Sequence, residues 1–181
     1  NCKQGYPQLL TLLELTKRQN IPVACGPSKP LKGSHVFPSA WRSQSNGFFG
    51  IPIPEEIKKK PLVENAPALL INTLKQSKQP IPILALGPMT NLALAIRQNK
   101  EIWQQKVSAV HATASNFGQD NFSIQKYFPK SPITKNSWNI YIDPLASSIV
   151  LSTTKHLVLT TRYALNKLNS KPLYNSLIKL K

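Results

Sequence analysis

The stretch that decides the fold is Ile81-Pro-Ile-Leu-Ala-Leu-Gly-Pro-Met-Thr-Asn-Leu-Ala-Leu-Ala-Ile-Arg-Gln98. It opens with a short apolar run, residues 81–86, which Gly87-Pro88 closes, and this pattern is typical of a fully buried parallel strand. Apolar residues then recur at helical spacing, with Thr90 or Asn91 placed to cap the helix. Because ligands of open α/β sheets bind outside the carboxyl ends of strands, we expect a site at this turn. A tight connection without a ligand is the alternative interpretation.

The alternation of helix and apolar strand continues along the rest of the chain. Its patterns predict strands over residues 21–25, 107–112 and 156–160 and helices over 8–19, 64–78, 144–151 and 171–181. The pair Asp143-Pro144 combines an N-cap side chain with a helix-starting proline, which gives Asp143 a sufficient structural role. Strands that alternate with helices in this way predict an α/β protein with parallel strands.

Two long irregular segments, residues 28–61 and 114–135, interrupt this alternation. Segments of this length in compact domains carry function or are disordered, and the aromatic residues of the first segment favour an ordered binding loop. His35 lies in that first segment and is the candidate active histidine of the three in the chain. Two interpretations of His111 stay open, a general acid near a strand end or a buried structural side chain, and His156 is interpreted as structural.

The formal net charge is +16, from 23 Lys and Arg against 7 Asp and Glu. Such an excess is typical of proteins that bind nucleic acid or another anionic surface. The lysines are scattered along the chain, however, and the dense run over residues 58–60 has no aromatic residues interleaved with it, as a single-strand binding groove requires. A general bias toward Lys, Asn, Gln and Ser explains the charge equally well. Nucleic-acid binding therefore stays an alternative that the pattern disfavours.

The acidic residues are too few and too scattered for several kinds of site. An acid-base pair of the glycosidase type needs two carboxylates around one bond, and a calcium site needs several oxygen ligands. No cluster among the 7 Asp and Glu supplies either. Asn139 is a polar residue that local structure does not explain. Its carboxamide, which both donates and accepts hydrogen bonds, suits a polyol such as ribose.

Length, hydropathy and cysteine content bound the protein further. The 181 residues suffice for one core of ordinary size or for part of a larger domain, and the first residue, Asn1, leads us to expect a segment of a longer protein. No apolar run reaches the roughly 20 residues that cross a bilayer, so we expect no membrane-embedded segment. Cys2 and Cys25 are too few for a disulfide framework and lack metal-ligand spacing, so they fit a reducing compartment such as the cytoplasm.

Four motifs occur in an order that is typical of one enzyme family. They are Ile21-Pro-Val-Ala-Cys-Gly-Pro-Ser-Lys-Pro-Leu31, His35-Val-Phe-Pro-Ser-Ala-Trp-Arg42, Leu84-Ala-Leu-Gly-Pro-Met-Thr-Asn-Leu-Ala-Leu-Ala-Ile96 and Trp138-Asn-Ile-Tyr-Ile-Asp-Pro-Leu-Ala146. The turn in the third motif and the helix entry in the fourth are the most specific parts. With these motifs the chain resembles the inosine-uridine nucleoside hydrolase family, with gaps, from Asn1 to about Leu168.

The resemblance implies a single domain over residues 1–181, an incomplete part of a doubly wound, mostly parallel open α/β sheet of the nucleoside hydrolase type, similar to a Rossmann fold. It also implies a homo-oligomeric enzyme that cleaves the N-glycosidic bond of ribonucleosides in purine and pyrimidine salvage. In the family mechanism a calcium ion orders the ribose hydroxyls and a water, and an Asp accepts the proton of that water.

The resemblance assigns roles to individual residues. Thr90 matches the family threonine whose backbone carbonyl ligates calcium. Asn139 matches an asparagine that binds ribose, Asn121 matches a second one and Asn1 a third. Ser137 stands at the position of a ribose-binding glutamate, so these four residues form the predicted substrate-binding set.

Other positions depart from the family pattern. The aspartate cluster that supplies the base and most calcium ligands would lie before Asn1, and a late His-Asp pair would lie beyond Lys181. No catalytic residue is therefore predicted within the segment apart from His35, and the segment alone is not expected to hydrolyse nucleosides. Three interpretations follow: the middle of a complete hydrolase, a degenerate non-catalytic member of the family, or a basic nucleic-acid-binding module.

Overall fold

The computed structural model describes residues 2–115 and 137–161. Within these ranges the strands are β1 (Ile81–Ala85), β2 (Val107–Ser115) and β3 (Leu157–Thr161). The helices are α1 (Cys2–Leu15), α2 (Ser39–Asn46), α3 (Glu55–Lys58), α4 (Ala66–Gln76), α5 (Thr90–Gln98), α6 (Lys100–Lys106), α7 (Trp138–Ile142) and α8 (Pro144–Thr153), with a 3-10 turn at Phe48–Gly50. The predicted final helix over 171–181 lies outside the described residues.

The described strands form one parallel sheet in the order β1-β2-β3. Ile83 is the register partner of Val110 in the first pair, and Val110 is also the partner of Leu157 in the second. Helices α5 and α6 connect β1 to β2, and α7 and α8 precede β3 along the chain. Parallel neighbours need such crossover connections, because each strand must start again at the same edge of the sheet. This arrangement confirms the predicted α/β class with parallel strands.

The core lies between the sheet and the helices that pack on it. Its buried members are Ile71, Leu74, Ala85, Met89, Ala93, Ala95, Ile96, Trp103, Val110, Ala112, Ala114, Ala146 and Val150. Ala93 in α5 and Ala146 in α8 are fully buried, and these two helices pack against each other. Complete burial of a larger side chain such as Leu74 stabilises the fold by about 1.5–3 kcal/mol.

The prediction that β1 is fully buried was wrong. Successive side chains of a strand point to opposite faces of the sheet, and here Ala85 is buried whereas Leu84 is 67% exposed. Leu84, His111 and Val158 are register partners across the three strands, and all three are exposed. The second face of the described sheet is therefore uncovered at these positions. The interpretation of His111 as a buried structural side chain was wrong for the same reason.

The starts of α5 and α8 differ in how well they could be predicted. Asp143 caps α8 as predicted, because its Oδ1 accepts a hydrogen bond from the Ala146 N–H at 3.0 Å. The prediction that Thr90 or Asn91 caps α5 was wrong. Met89 holds the cap position without a side-chain hydrogen bond, and the Thr90 hydroxyl donates to Asp143 instead.

Cys2 and Cys25 form a disulfide bond, with their Cα atoms 5.6 Å apart. The paired cysteines therefore give no support to a reducing compartment, because disulfides persist in oxidising environments. The cytoplasmic location stays a prediction without support from them. The predicted strand over 21–25 was also wrong: within it, Cys25 alone makes a β-bridge, to Glu64. Pro22 is exposed and has no N–H to donate to a neighbouring strand.

The surface of the described residues carries few specific charge contacts. Lys58 and Glu55 form an exposed ion pair at 2.6 Å across one turn of α3, as expected for a solvated helix. No other salt bridge joins residues within 2–115 and 137–161. Among the helices in these ranges, none has the length and apolar character needed to cross a bilayer.

Candidate functional site

Asp143 is fully buried and joins three separate segments of the chain. Its Oδ2 accepts hydrogen bonds from the Leu31 N–H and from the Thr90 hydroxyl, both at 2.7 Å. Its Oδ1 accepts from the Ala146 N–H. A buried carboxylate needs such partners, and hydrogen bonds to an ionised group are roughly twice as strong as neutral ones. Asp143 therefore fixes the loop at Leu31 and the turn at Thr90 relative to α8.

The turn after β1 lies where the sequence predicted a site. Met89 and Thr90 are buried in it, and Thr90 is the first residue of α5. Because the Thr90 hydroxyl donates to Asp143, its side chain is committed to holding the turn. The other group that this residue offers is its backbone carbonyl, and the role of that carbonyl as a metal ligand stays a prediction.

Asn91 ties the same turn to the loop that follows residue 25. Its side chain lies against Gly26 so closely that a Cβ at position 26 would collide with the Asn91 carboxamide. Glycine is therefore required there by the close approach of the two segments. The Asn91 Oδ1 atom is buried and has no hydrogen-bond partner among the described residues.

Asn139 lies at the ends of two neighbouring strands. Its Nδ2 donates to the Thr113 carbonyl at 2.7 Å, to the Thr113 hydroxyl at 3.1 Å and to the Leu86 carbonyl at 3.4 Å. Carbonyl oxygens only accept, so this network assigns the orientation of the amide and leaves Oδ1 as the group that can bind a ligand. Ser137 helps to position Asn139. Its hydroxyl accepts a hydrogen bond from the Asn139 N–H at 3.1 Å and so caps α7.

His35 is held against α7 by stacking and by a hydrogen bond. Its ring lies 4.0 Å from that of Tyr141, centroid to centroid, and its Nδ1 lies 2.8 Å from the Tyr141 carbonyl. Since a carbonyl only accepts, Nδ1 carries the proton in this bond and Nε2 is left for a ligand. Trp138 packs edge-on against Tyr141 and Trp41, and Phe37 completes the aromatic cluster 6.0 Å from Trp138.

A cavity of about 660 Å³ lies beside the turn after β1. Its lining consists of Cys2, Gln4, Pro27, Ser28, Pro30, His35, Val36, Phe37, Trp41, Arg42, Ser45, Asn46, Pro88, Thr90 and Ile142. The volume is within the range of small-molecule sites, roughly 300–1,000 Å³. The structure thus brings the predicted residues His35 and Thr90 together at one cavity. Asn139 and Ser137 are outside its lining, at the neighbouring strand ends.

Sequence reasoning missed three residues that define this site. Trp41 and Arg42 belong to the second family motif, but neither was given a role, although both line the cavity. Asp143 was explained by its helix cap, and nothing local reveals that it also binds a backbone N–H 112 positions away. Asn1 and Asn121, the other two predicted ribose ligands, lie outside the described residues.

The described residues do not by themselves fit a calcium ion. Calcium takes about 6–8 oxygen ligands, usually with several carboxylates among them. Within residues 2–115 and 137–161, no three His, Cys, Asp or Glu side chains lie close enough together to hold a metal. Asp143, the carboxylate beside Thr90, already accepts hydrogen bonds from Leu31, Thr90 and Ala146.

Comparison with known proteins places this geometry in context. Residues 1–177 match the family described as inosine-uridine preferring nucleoside hydrolase. The pyrimidine-specific ribonucleoside hydrolase RihA of Salmonella schwarzengrund (strain CVM19633) is 32% identical over 142 residues, which cover 78% of this chain and 42% of that protein. The chain thus spans less than half the length of the curated relatives that it matches.

Solved structures of similar proteins agree with the described fold. A plant nucleoside hydrolase, the PpNRh1 enzyme, superposes with a TM-score of 0.68 at 27% identity, over 88% of this chain and 47% of the plant protein. The inosine-uridine preferring nucleoside hydrolase of Bacillus anthracis gives a TM-score of 0.69 at 21% identity, over 91% and 53% of the two chains, and this likeness shows the fold alone. Both confirm the predicted nucleoside hydrolase type of α/β fold, of which the described sheet is a part.

Proposed function

Because the chain belongs to the inosine-uridine preferring nucleoside hydrolase family, we propose that it forms the nucleoside-binding part of a hydrolase that cleaves the N-glycosidic bond of purine or pyrimidine ribonucleosides. The observation that carries this proposal is that His35 and Thr90 line one cavity beside the turn after β1. Ligands of parallel α/β sheets bind at this place. The calcium ion, the salvage role and the homo-oligomer implied by the resemblance belong to this proposal for the whole protein.

The aromatic side chains of the cavity suit a nucleobase. Phe37 and Trp41 line it, and their ring centroids are 6.4 Å apart. Trp138 and Tyr141 pack behind them, so the rings are fixed before a ligand arrives. Flat aromatic bases stack on such rings, and a ring that is already positioned loses little conformational freedom on binding.

The ribose is assigned to the strand ends beside the cavity. Asn139 uses its amide donors on the Thr113 and Leu86 carbonyls, so its Oδ1 is the atom that would accept a hydrogen bond from a ribose hydroxyl. This sharpens the prediction from sequence, in which the carboxamide was expected both to donate and to accept. Ser137 contributes indirectly in this arrangement, because its hydroxyl already accepts from the Asn139 N–H.

We propose further that the 181-residue chain binds nucleosides without hydrolysing them. Hydrolysis needs a base to take a proton from water, and none of the described residues that line the cavity is Asp or Glu. Asp143 lies nearby but is fully buried under the hydrogen bonds described above. His35 is the imidazole among the described residues that line the cavity, and its Nδ1 is engaged by the Tyr141 carbonyl.

Calorimetric titration with inosine and uridine, with and without calcium, tests the binding part of the proposal. We expect binding by the unmodified chain and a loss of about three- to tenfold in affinity in His35→Ala, because one hydrogen-bonding and stacking side chain is removed. His156→Ala is the matched control, since His156 is exposed and lies outside the cavity lining. Failure of the chain to bind either nucleoside would contradict the proposal.

A second pair of variants tests the ribose contact. Asn139→Ala should lower the affinity for both nucleosides by a similar factor, because ribose is common to them. Asn72→Ala, on the exposed face of α4, should change neither affinity. Far-ultraviolet circular dichroism checks that Asn139→Ala still folds. Release of free base by the unmodified chain, followed by chromatography in the presence of calcium, would show that the segment hydrolyses nucleosides and would contradict the non-catalytic part of the proposal.

A further inference from the structure

We propose that the cavity takes a phosphorylated nucleoside and that Arg42 binds its phosphate. This inference names the ligand class of the proposed nucleoside site and rests on that site. Its first support is charge. Among the described residues that line the cavity, Arg42 is the only permanently charged side chain and none is Asp or Glu. Such a lining produces a positive potential, which favours an anionic ligand.

The geometry of Arg42 leaves it ready to bind an anion. Its Nε donates to the Phe37 carbonyl at 3.0 Å, so the backbone positions the guanidinium. It forms no salt bridge with any residue in the described part of the chain. With Nε occupied, the two Nη nitrogens present parallel N–H donors, which match two oxygens of one phosphate. The side chain is exposed at the edge of the cavity, so the phosphate can keep part of its hydration.

The aromatic surface beside Arg42 extends the inference from an anion to a nucleotide. Trp41 directly precedes Arg42 in α2, and Phe37 provides both a ring and the carbonyl that holds Nε. A neutral nucleoside would use the rings and leave the guanidinium without an anionic partner. Inorganic phosphate would use the guanidinium and leave the rings without a base. A ligand with an aromatic base at one end and a phosphate at the other matches both.

Titration of the 181-residue chain with inosine, uridine, their 5′-monophosphates and inorganic phosphate tests this inference. We expect each monophosphate to bind about tenfold more tightly than its nucleoside, the effect of one good charge-assisted pair. Arg42→Gln should abolish this preference, so that in the variant each monophosphate binds about as tightly as its nucleoside. Arg97→Gln is the matched control, because Arg97 is exposed on α5 and lies outside the cavity lining. Added salt should reduce the preference in the unmodified chain.

The possible results separate this inference from the proposed function. Nucleosides that bind as tightly as their monophosphates would overturn the phosphate inference and leave the nucleoside site intact. A preference that persists in Arg42→Gln would also overturn it, because the anion would then bind elsewhere. If neither nucleosides nor monophosphates bind, the proposed function fails together with the inference. If Arg42→Gln does not fold, Arg42→Lys is measured instead, and it should retain only part of the preference because lysine lacks the paired donors.

Discussion

Two regions of the described chain are held together by different forces. The sheet layer comprises β1–β3 with the helices from α4 to α8, and the cover layer comprises residues 2–58 with α1, α2 and α3. The sheet layer contains the whole buried apolar cluster, in which Leu74 and Trp103 are almost completely inaccessible. The cover layer packs against that cluster through Leu31, and aromatic and polar contacts to α7 and to Asp143 attach the rest of it. The Cys2–Cys25 disulfide lies within the cover layer. Burial of the large apolar cluster therefore stabilises the sheet layer, whereas aromatic and polar contacts position the cover layer on it.

The cavity lies between the two layers, so ligand binding depends on both. Pro88, Thr90 and Ile142 come from the sheet layer, and the other lining residues come from the cover layer. Helix α2, which carries Trp41, is joined to α1 by the Gln8 side chain, whose Nε2 donates to the Ser45 carbonyl at 2.7 Å. Changes that shift α1 or α2 should therefore alter the cavity without unfolding the sheet. The two layers can be tested separately for this reason.

The largest loss of stability is expected for a substitution that leaves an empty space in the core of the sheet layer. Leu74→Ala should lower the free energy of unfolding by about 2–5 kcal/mol, because Leu74 is 0% exposed and its neighbours cannot fully collapse into the space. Leu12→Ala in α1 is the matched control and should cost less than about 1 kcal/mol, since Leu12 is 41% exposed. Urea unfolding followed by tryptophan fluorescence measures both. Equal losses would show that the cover layer is also stabilised by burial.

The second largest loss of stability is expected when the disulfide that anchors α1 is broken. Reduction of Cys2–Cys25 should lower the free energy of unfolding by about 3 kcal/mol, because the bond closes a loop between residues 23 positions apart and so restricts the unfolded chain. Local opening should be confined to the cover layer, with faster hydrogen exchange in α1 and unchanged exchange in β2.

The control for this experiment is a variant without cysteines. These are its 2 cysteines, so the double variant Cys2→Ser, Cys25→Ser should show the exchange pattern of the reduced chain and should not respond to reductant. Unchanged exchange of α1 after reduction would mean that the helix is held by packing around Tyr6 and Thr11, the buried residues of α1, and not by the disulfide.

The sheet layer could be predicted from sequence because its signals are local. The apolar run at residue 81 and the pair Asp143-Pro144 each depend on a few neighbouring residues, and they give β1 and α8 to within two residues. The exposure of Leu84 could not be predicted in the same way. An apolar run reports that a strand is apolar, but whether its second face is covered depends on segments far away in sequence.

The cover layer and half of the site could not be predicted, because their contacts join distant positions. Nothing in the spacing of Cys2 and Cys25 reveals that the two residues meet, and the bond from Leu31 to Asp143 spans 112 positions. His35 was predicted because functional residues are frequent in loops. Arg42 lies in the same loop region, but its importance depends on which charges line the cavity, and only the three-dimensional arrangement shows that.

The smallest loss of stability is expected for changes at Asp143, whose carboxylate joins the two layers. In Asp143→Asn one amide oxygen can still accept from the Ala146 N–H, but the amide nitrogen faces the Leu31 N–H and the Thr90 hydroxyl. A buried donor that loses its acceptor costs about 1–3 kcal/mol, so urea unfolding should show a loss of about 2 kcal/mol. Thr90→Val removes one of these bonds and should cost about 1 kcal/mol.

The double variant decides whether these two residues act together. Once Asp143 is replaced by Asn, the Thr90 hydroxyl no longer has its carboxylate partner, so Thr90→Val should add little further loss of stability. Losses that simply add would show that Thr90 and Asp143 stabilise the turn independently. A non-additive result, together with faster hydrogen exchange at Leu31 in Asp143→Asn, would identify this buried carboxylate as the group through which the sheet layer positions the cover layer and the cavity between them.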